Sequence, residues 1–560
     1  MKTKNILYKL ACIAGIVFLI SGCSDFLTRD AEHQTTEEEW WVSKEMLQTV
    51  LEQLYRPMPG GTLVYTARDI SQTTGSMAYY NMKVENEGLT DNGVTCANYV
   101  DNTSLTYGTA SSSMTSITNI WNMKWAVIRR CCRYLENYHK AVFDPDKQPH
   151  EGIQSVDMWA AEARALRAYY HLELFTLFGP IPVVDHVLTP SEQKLERKSQ
   201  EEVISWIVTE LEEASKNLPV KPQVPEERWR WTKGACYAYI SYLYMFVSDW
   251  ENAKAWAQKV IDLNIYDLYR SPADPEHSYS EQFLYEAYTN NTPESILTKD
   301  KGAGQATWRL LPPGYRNGGT GVAPTASMLD AYELKDGRTL DELSEDERRH
   351  YHIYPTPEDR DPRLGMTICF PNEEFLGYSN QVWSSESLDY IGKRNSSKTG
   401  YWIKKWVNEQ DLTLSDLSTG TLPFQLMRYA VVLLNYVECA IELGELGDPK
   451  IYEYLDMIRD RAGMPPVDRS KYATQEKLRE LVRRERRVEL AFEGHRLMDI
   501  RRWKIGEEVM NCSVYGAKMP DSEELFFVEE RRFNPERDYL WPIPLTEITS
   551  NEKMVQNPGY

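Results

Sequence analysis

The chain has 560 residues, which is enough for several ordinary domains or for one large helical array with insertions. Its 63 basic and 83 acidic residues give a net charge of −20, which argues against a nucleic-acid-binding protein because such proteins carry a basic surface. The same charge argues against electrostatic attachment to anionic lipid. The 35 tyrosines and 16 tryptophans suit both a core and a surface that recognises flat, partly apolar ligands.

The first 22 residues have the layout of a secretory signal peptide. Three lysines precede an apolar run over residues 10–20, which is too short to span a bilayer. The run ends in Leu19-Ile20-Ser21-Gly22-Cys23, and an aliphatic residue, two small residues and a cysteine resemble a bacterial lipobox. The resemblance implies cleavage before Cys23, lipidation of Cys23 and a lipidated tether over residues 23–34. A plain signal peptide with a fortuitous cysteine is the alternative.

Apolar side chains recur at helical spacing along much of the remaining chain. This periodicity predicts helices over residues 41–54, 117–139, 156–178, 199–218, 232–263, 426–443, 451–462 and 478–503. Segment 232–263 is expected to form two helices hinged near Asp249. This segment and segment 426–462 have the small and aromatic positions of tetratricopeptide units. Such helix pairs stack on one another and bury a continuous core.

Two long irregular blocks interrupt this helical scaffold. Residues 57–113 and 266–423 are rich in Gly, Asn and aromatic residues and lack a sustained helical period. Loops of this length are usually functional, and loops held by a rigid frame commonly carry recognition residues. We therefore expect the ligand-binding residues in these blocks.

Segment 478–503 contains three glutamates at helical spacing, Glu485, Glu489 and Glu493. Arginines surround them, and nearby guanidinium groups favour the ionised form of a carboxylate, which does not suit a general acid. A structural ion-pair network is therefore favoured over an active site. His350 and His352 are weak evidence for a metal site. No nucleophile elbow, phosphate-binding glycine loop or zinc-protease motif occurs, so we expect no enzyme activity, no metal and no cofactor.

Two long segments carry a family resemblance. Residues 163–184, ARALRAYYHLELFTLFGPIPVV, and residues 484–503, RERRVELAFEGHRLMDIRRW, resemble the signature segments of the SusD/RagB family. Further matches lie at residues 324–325, 330–337, 361–364, 399–402, 541–544 and 556–560. The resemblance extends in collinear order over essentially the whole mature chain.

The resemblance implies a mainly α-helical fold, a right-handed tetratricopeptide-like superhelix of helix pairs with long irregular, loop-rich insertions. An N-terminal region with tetratricopeptide-like helices is expected over residues 35–265. A C-terminal region is expected over residues 266–560, with an irregular ligand-binding block and helices within 424–503. The signature segments themselves are mostly structural, so they identify the fold far better than the ligand.

The resemblance also implies a lipoprotein anchored at the cell surface in the outer membrane of Bacteroidetes-type bacteria. Family members bind glycans, or in some cases peptides, and lie as a lid over a SusC-like TonB-dependent barrel. The expected function is non-catalytic capture of a glycan and its delivery to this barrel partner. The alternatives are a tetratricopeptide-type structural or interaction lipoprotein and a peptide-binding member of the same family.

Candidate ligand-binding residues come from side-chain chemistry in the two irregular blocks. Aromatic faces bind the apolar side of a sugar ring, while amide and charged groups bind its hydroxyls. The candidates are Tyr79, Tyr80, Tyr99 and Asn102 in the first block, and Trp308, Tyr315 and Arg316 in the second. For each aromatic residue, packing beneath its own loop is the alternative.

Overall fold

The computed structural model describes residues 38–60, 82–96, 102–141, 156–222, 227–289, 292–300, 307–355, 357–417 and 420–560. The chain forms two compact units. The smaller comprises Met1–Val50 and Asn137–Gln148, and in its described part the 3-10 helices Glu38–Trp41 and Tyr138–Lys140 contact each other. The larger comprises Leu51–Glu136 and Pro149–Tyr560. It contains those residues of the two irregular blocks that the structure describes.

The fold is mainly α-helical. The α-helices of the described residues are α1 (Lys44–Tyr55), α2 (Asn102–Thr106), α3 (Thr115–Asn137), α4 (Val156–Phe178), α5 (Gln200–Asn217), α6 (Lys233–Phe246), α7 (Trp250–Ile261), α8 (Ser278–Glu281), α9 (Tyr285–Thr289), α10 (Ala326–Asp330), α11 (Glu345–Ile353), α12 (Arg363–Thr367), α13 (Tyr429–Glu442), α14 (Lys450–Arg461), α15 (Gln475–Glu489), α16 (Arg496–Trp503), α17 (Gly506–Val509) and α18 (Leu545–Ser550). No helix in these ranges has both the length and the apolar character needed to cross a membrane.

The long helices of the larger unit stack in series. Helix α4 packs on α5, α5 on α6 and α6 on α7, and α7 then packs on α13, which contacts α14 and α15. Met245, Ala253 and Cys439 form a buried cluster where α6, α7 and α13 meet, and the small side chains let these helices approach closely. The prediction of a tetratricopeptide-like array is confirmed. The block between α7 and α13 is therefore an insertion between two helices that stack directly.

Local signals explain where these helices start and stop. A capping box of Ser199 and Glu202 begins α5, and the Asp249 side chain accepts a hydrogen bond at the start of α7, which separates α6 from α7 as expected. Helix α4 ends where Gly179 adopts a left-handed backbone, with φ +73°, before Pro180.

Five antiparallel pairs of short strands join distant parts of the larger unit. The pairs are β1 (Gly93–Thr95) with β3 (Val322–Pro324), β2 (Ser295–Lys299) with β8 (Phe424–Arg428), β4 (Ile368–Cys369) with β7 (Trp402–Ile403), β5 (Glu374–Phe375) with β6 (Tyr378–Ser379), and β9 (Ser513–Lys518) with β10 (Leu525–Glu530). The first pair ties one irregular block to the other, and the β2–β8 pair closes the base of the second block.

Two helix predictions are wrong in part. The helix expected over 426–443 begins only at Tyr429, because Phe424–Arg428 forms β8 and pairs with β2. The helix expected over 478–503 is broken into α15 and α16. Phe492 and Gly494 adopt left-handed backbones between them, with φ 60° and 81°. A Cβ at Gly494 would lie 2.7 Å from that of Lys83, so only glycine fits there.

The three glutamates of segment 478–503 lie in a buried ion-pair network, as expected. Glu485 and Glu489 bind Arg363 at 2.6 and 2.9 Å, and Glu493 binds Lys405 at 2.7 Å. Burial opposes ionisation, but the surrounding cations lower the pKa values of all three carboxyl groups. The carboxylates stay ionised at neutral pH and hold the second block against α15 and the residues that follow it.

Asp499 in α16 makes a neighbouring buried cluster sensitive to acid. Burial opposes its ionisation, but Arg486 and Arg502 lower its pKa to about 2. The unfolded chain carries ordinary carboxyl groups of pKa about 4, so this stabilisation is complete above about pH 4 and is lost as the pH falls through 2. We expect Asp499→Asn to reduce the free energy of unfolding by about 2 kcal/mol at pH 7, and by much less at pH 2.5, in urea titrations.

The exposed Asp521 supplies the matched control. Asp521→Asn is expected to change the free energy of unfolding by less than about 0.5 kcal/mol at either pH. An equal loss for Asp499→Asn at both pH values would contradict the electrostatic assignment and indicate a packing defect instead.

Candidate functional site

A loop over residues 307–321 forms the part of the second block that carries three predicted binding residues. Its two ends are joined because Gly319 N–H donates to the Trp308 carbonyl at 2.7 Å, and Gly321 N–H donates to the Arg309 carbonyl at 2.8 Å. The buried Arg309 guanidinium also binds both carboxylate oxygens of Glu85, at 3.0 and 2.9 Å. The loop is therefore anchored to the first irregular block by a buried bidentate pair, the strong form of ion pair.

Tyr315 lies at the tip of this loop and stacks on Tyr378 of β6. The two rings are nearly parallel, 6° apart, with centroids separated by 4.8 Å. The Tyr315 hydroxyl donates to the Leu376 carbonyl at 2.6 Å. Leu376 and Gly377 form the two-residue turn between β5 and β6, and both have positive φ, 51° and 75°, as primed hairpin turns require. A leucine is uncommon in this conformation, so the tyrosine contact lies on a strained turn.

Asp389 fixes the second tyrosine. Its carboxylate accepts hydrogen bonds from the Tyr378 hydroxyl and, at 2.6 Å, from Gly314 N–H. A Cβ at Gly314 would overlap the Tyr378 hydroxyl, so a glycine must precede Tyr315. Burial raises the pKa of Tyr378, and Asp389 raises it further. Burial also raises the pKa of Tyr315. Both hydroxyls stay protonated and donate hydrogen bonds within the protein, which fixes the positions of the two half-buried rings.

Arg316 extends from the loop tip across the surface. Its backbone is left-handed, with φ 53°, and its Nη2 donates to the Leu414 carbonyl at 2.6 Å. Asp411, close to Leu414 in sequence, accepts hydrogen bonds from Thr307 and, at 2.8 Å, from the Tyr285 hydroxyl. The loop is thus held at its base and its tip by residues from four separate segments.

The predicted binding residues differ in their position on the loop and in whether the structure describes them. Tyr315 and Arg316 lie side by side at the exposed loop tip, whereas Trp308 lies at the base, half-buried, with its ring against Gly319 and 5.2 Å from the Arg309 guanidinium. This position for Trp308 matches the packing alternative. Three of the remaining candidates, Tyr79, Tyr80 and Tyr99, lie outside the described residues. Asn102 is the first residue of α2, but its side chain is not among the parts of the chain that the structure describes.

Sequence reasoning missed the two residues that position Tyr315, namely Tyr378, which stacks on it, and the buried Asp389, which binds Tyr378. A hairpin signal was present, because Leu376-Gly377 lies between the aromatic residues Phe375 and Tyr378, and a short turn with glycine between apolar residues favours a hairpin. Nothing local indicates that this hairpin packs on Tyr315, which lies far away in sequence.

The arrangement offers an aromatic platform with one exposed charged group, Arg316, at its edge. Tyr315 and Tyr378 each use one ring face for the other, and the outer faces suit the apolar side of a flat ligand such as a sugar ring. The exposed Arg316 lies beside the rings and suits hydroxyl groups. The Asp389 carboxylate is buried, 1% exposed, and its hydrogen bonds to Tyr378 and Gly314 hold the platform in place. Among the residues that the structure describes, no cluster of three or more His, Cys, Asp or Glu could hold a metal ion.

Comparisons with known proteins identify the family and the fold. A family model described as "SusD family" matches residues 276–560, and a second, described as "Starch-binding associating with outer membrane", matches residues 25–245. A SusD-like protein of Formosa agariphila is 24% identical over 470 residues, which span 79% of this chain and 81% of the relative.

Solved structures are similar over nearly the whole chain. A SusD-like carbohydrate-binding protein of Bacteroides fragilis is 27% identical with a TM-score of 0.78, and the match covers 92% of this chain and 99% of that one. A laminarin-binding SusD-like protein is 20% identical with a TM-score of 0.65, over 93% of this chain and all of that one. At that identity the second similarity concerns the fold alone.

Proposed function

Since this chain belongs to the SusD/RagB family, we propose that it is a non-catalytic, cell-surface lipoprotein that captures a glycan and delivers it to a SusC-like TonB-dependent barrel. The carbohydrate binding named for the Bacteroides fragilis protein supports the ligand class. The description of the N-terminal family model supports the outer membrane as its location. Lipidation at Cys23 would attach the chain there, although Cys23 lies outside the described residues.

The stacked pair of Tyr315 and Tyr378 is the observation that carries the ligand proposal. Two half-buried rings that stack in parallel, 4.8 Å apart, are held by the Leu376 carbonyl and by Asp389 rather than by close packing from all sides. This restraint lowers the entropy that the rings lose when a ligand stacks on them, which favours binding. Arg316 at the same surface supplies donors for ring hydroxyls or for the glycosidic oxygen.

Tyr315→Ala is expected to weaken glycan binding by about tenfold, which corresponds to ~1.4 kcal/mol, because it removes one of the two half-buried rings of the platform. The purified full chain would be screened on native gels that contain laminarin, starch or xylan and on a glycan array. Calorimetry with an oligosaccharide of the bound polymer would then give the dissociation constants.

Two variants serve as controls for this experiment. Tyr315→Phe keeps the ring and loses only the hydrogen bond to Leu376, so it should bind within about twofold of the wild type. Tyr354→Ala removes an exposed tyrosine elsewhere, 36% accessible, and should bind as the wild type does. Undiminished affinity in Tyr315→Ala would contradict the placement, and hydrolysis of a polysaccharide by the purified chain would contradict a non-catalytic role.

The interaction-lipoprotein alternative rests on the serial stack of α4 to α7 with α13, because stacked helix pairs create extended partner surfaces. Pull-down of the chain from outer membranes distinguishes the two. We expect both a barrel partner and glycan binding, and a barrel partner without affinity for any glycan on the array would favour the alternative. Binding to peptides instead of glycans would favour a peptide-binding member of the family.

A further inference from the structure

A large cleft lies away from the 307–321 loop, between α11 and the helices α15 to α17. It has a volume of about 760 Å3, and none of the platform residues line it. Six arginines contribute to its walls: Arg348, Arg349, Arg483, Arg484, Arg487 and Arg496. Four acidic residues also line it, Asp330, Asp341, Glu345 and Glu508. We call this feature the arginine cleft. In a chain with a net charge of −20, an excess of cations in one cleft is unusual.

Four of these arginines have carboxylate partners. Arg484 binds Glu333 at 2.6 Å. Arg487 and Arg496 both bind Asp91, at 3.0 and 2.8 Å. Arg348 binds the exposed Asp341 at 3.1 Å. The charges of these four arginines are therefore largely compensated. Among the acidic residues of the cleft, Asp330 also has a partner, because it contacts His352 at 2.7 Å.

The other two arginines are poorly compensated. Arg483 Nε is buried and has no hydrogen-bond acceptor among the residues that the structure describes, and its Nη2 lies 3.9 Å from Glu442. Arg349 is exposed on α11 and forms no ion pair within the described ranges. The Arg483 side chain as a whole is 30% exposed, so an anion in the cleft would add an acceptor to a guanidinium whose carboxylate partner is distant.

Trp503 fixes the position of Arg483. The guanidinium of Arg483 lies 4.7 Å from the ring centroid, and those of Arg502 and Arg496 lie at 4.7 and 5.8 Å. Arg496 is paired with Asp91, and Arg502 with Glu438 at 2.6 Å and Asp499 at 2.8 Å. Arg483 is therefore the least compensated of the three guanidinium groups around the indole, and burial lowers its pKa. A guanidinium held over a ring has restricted freedom and is preorganised for binding of a carboxylate or sulfate.

We propose that the arginine cleft binds the carboxylate or sulfate group of an acidic saccharide, with Arg483 and Arg349 as the main contacts. This inference rests on the proposed glycan-binding function and names a second site and a ligand class. The volume lies within the range of small-ligand sites and is sufficient for one or two sugar rings. An acidic glycan would otherwise be repelled by a protein of this net charge.

The first experiment uses inorganic sulfate as the probe. Sodium sulfate is titrated into the full chain by calorimetry, with sodium chloride adjusted to keep the ionic strength constant. We expect saturable sulfate binding that Arg483→Gln and Arg349→Gln each weaken at least fivefold. Arg270→Gln, which removes an exposed arginine paired with Asp460, and Tyr315→Ala should leave it unchanged. Because Arg349 is exposed, its variant tests the cleft even if Arg483→Gln folds poorly.

The second experiment identifies the source of the anionic group. A trimer of galacturonic acid is compared with its fully methyl-esterified form, which has the same rings without charge. We expect the acid to bind at least tenfold more tightly, and Arg483→Gln to abolish the difference. No saturable sulfate binding, or sulfate binding that survives both cleft variants, would overturn the site. Sulfate binding without a preference for the acidic trimer would overturn the saccharide assignment. Neutral glycan binding at Tyr315 is measured independently of both outcomes.

Discussion

Arg428→Met is expected to reduce the free energy of unfolding by at least ~3–5 kcal/mol, the usual cost of removing one partner from a buried ion pair. Arg428 is almost completely buried at the end of β8. Its guanidinium binds Glu294 at 2.6 Å and Glu489 and Glu493 at 2.7 Å each. Methionine fills much of the volume but leaves three buried carboxylates without their shared cation.

The effect should extend beyond one residue. Arg428 pairs with Ser295 across β2 and β8, the strands that close the base of the second irregular block, and α13 begins at the next residue, Tyr429. The network therefore holds the insertion to the helical stack at the point where the chain returns to it. We expect cooperative unfolding at a lower denaturant concentration, observed both by circular dichroism and by tryptophan fluorescence.

Arg270→Met is the matched control, because Arg270 forms an exposed pair with Asp460 at 2.6 Å. Exposed pairs contribute at most about 1 kcal/mol, so this variant should unfold close to the wild type. Similar small losses for Arg428→Met and Arg270→Met would contradict a structural role for the network.

Sequence reasoning predicts the helical scaffold well because its signals are local. The capping box at Ser199, the hinge at Asp249 and the Gly179–Pro180 stop each act within a few residues of the backbone that they shape. The charge pattern around Glu489 likewise sufficed to favour a structural network. It could not show that the cations come from Arg363 and Arg428, because these lie in the insertion and the strand that closes it.

The candidate surface was only partly predictable because its contacts are long-range. Tyr315 and Arg316 were found by composition, but their partners Tyr378 and Asp389 are brought to them by the β5–β6 hairpin and the loop after it. The break between α15 and α16 was missed for a similar reason. Phe492 adopts a left-handed backbone that a phenylalanine does not favour locally, and the surrounding packing imposes it.

The second large effect concerns attachment to the membrane, and it follows from Cys23. Two or more acyl chains hold a protein stably at a membrane, with about 0.8 kcal/mol for each buried CH₂ group, whereas one chain binds only marginally. The chain's net charge of −20 offers no electrostatic substitute at an anionic surface. If the acylated cysteine is the anchor, its removal should have an all-or-none effect.

We therefore expect Cys23→Ala to move the protein almost entirely from the membrane to the soluble fraction, measured by ultracentrifugation and immunoblotting, and to abolish incorporation of an alkyne-labelled palmitate. Cys12→Ala, a change of the same residue type within the apolar run, should leave both unchanged. The soluble variant should bind glycan with wild-type affinity, because the 307–321 loop is held by Glu85, Leu376 and Asp389 and not by the anchor. A Cys23→Ala protein that remained in the membrane would contradict lipidation at this residue. Release from the membrane together with loss of glycan affinity would indicate that the tether contributes to the ligand site.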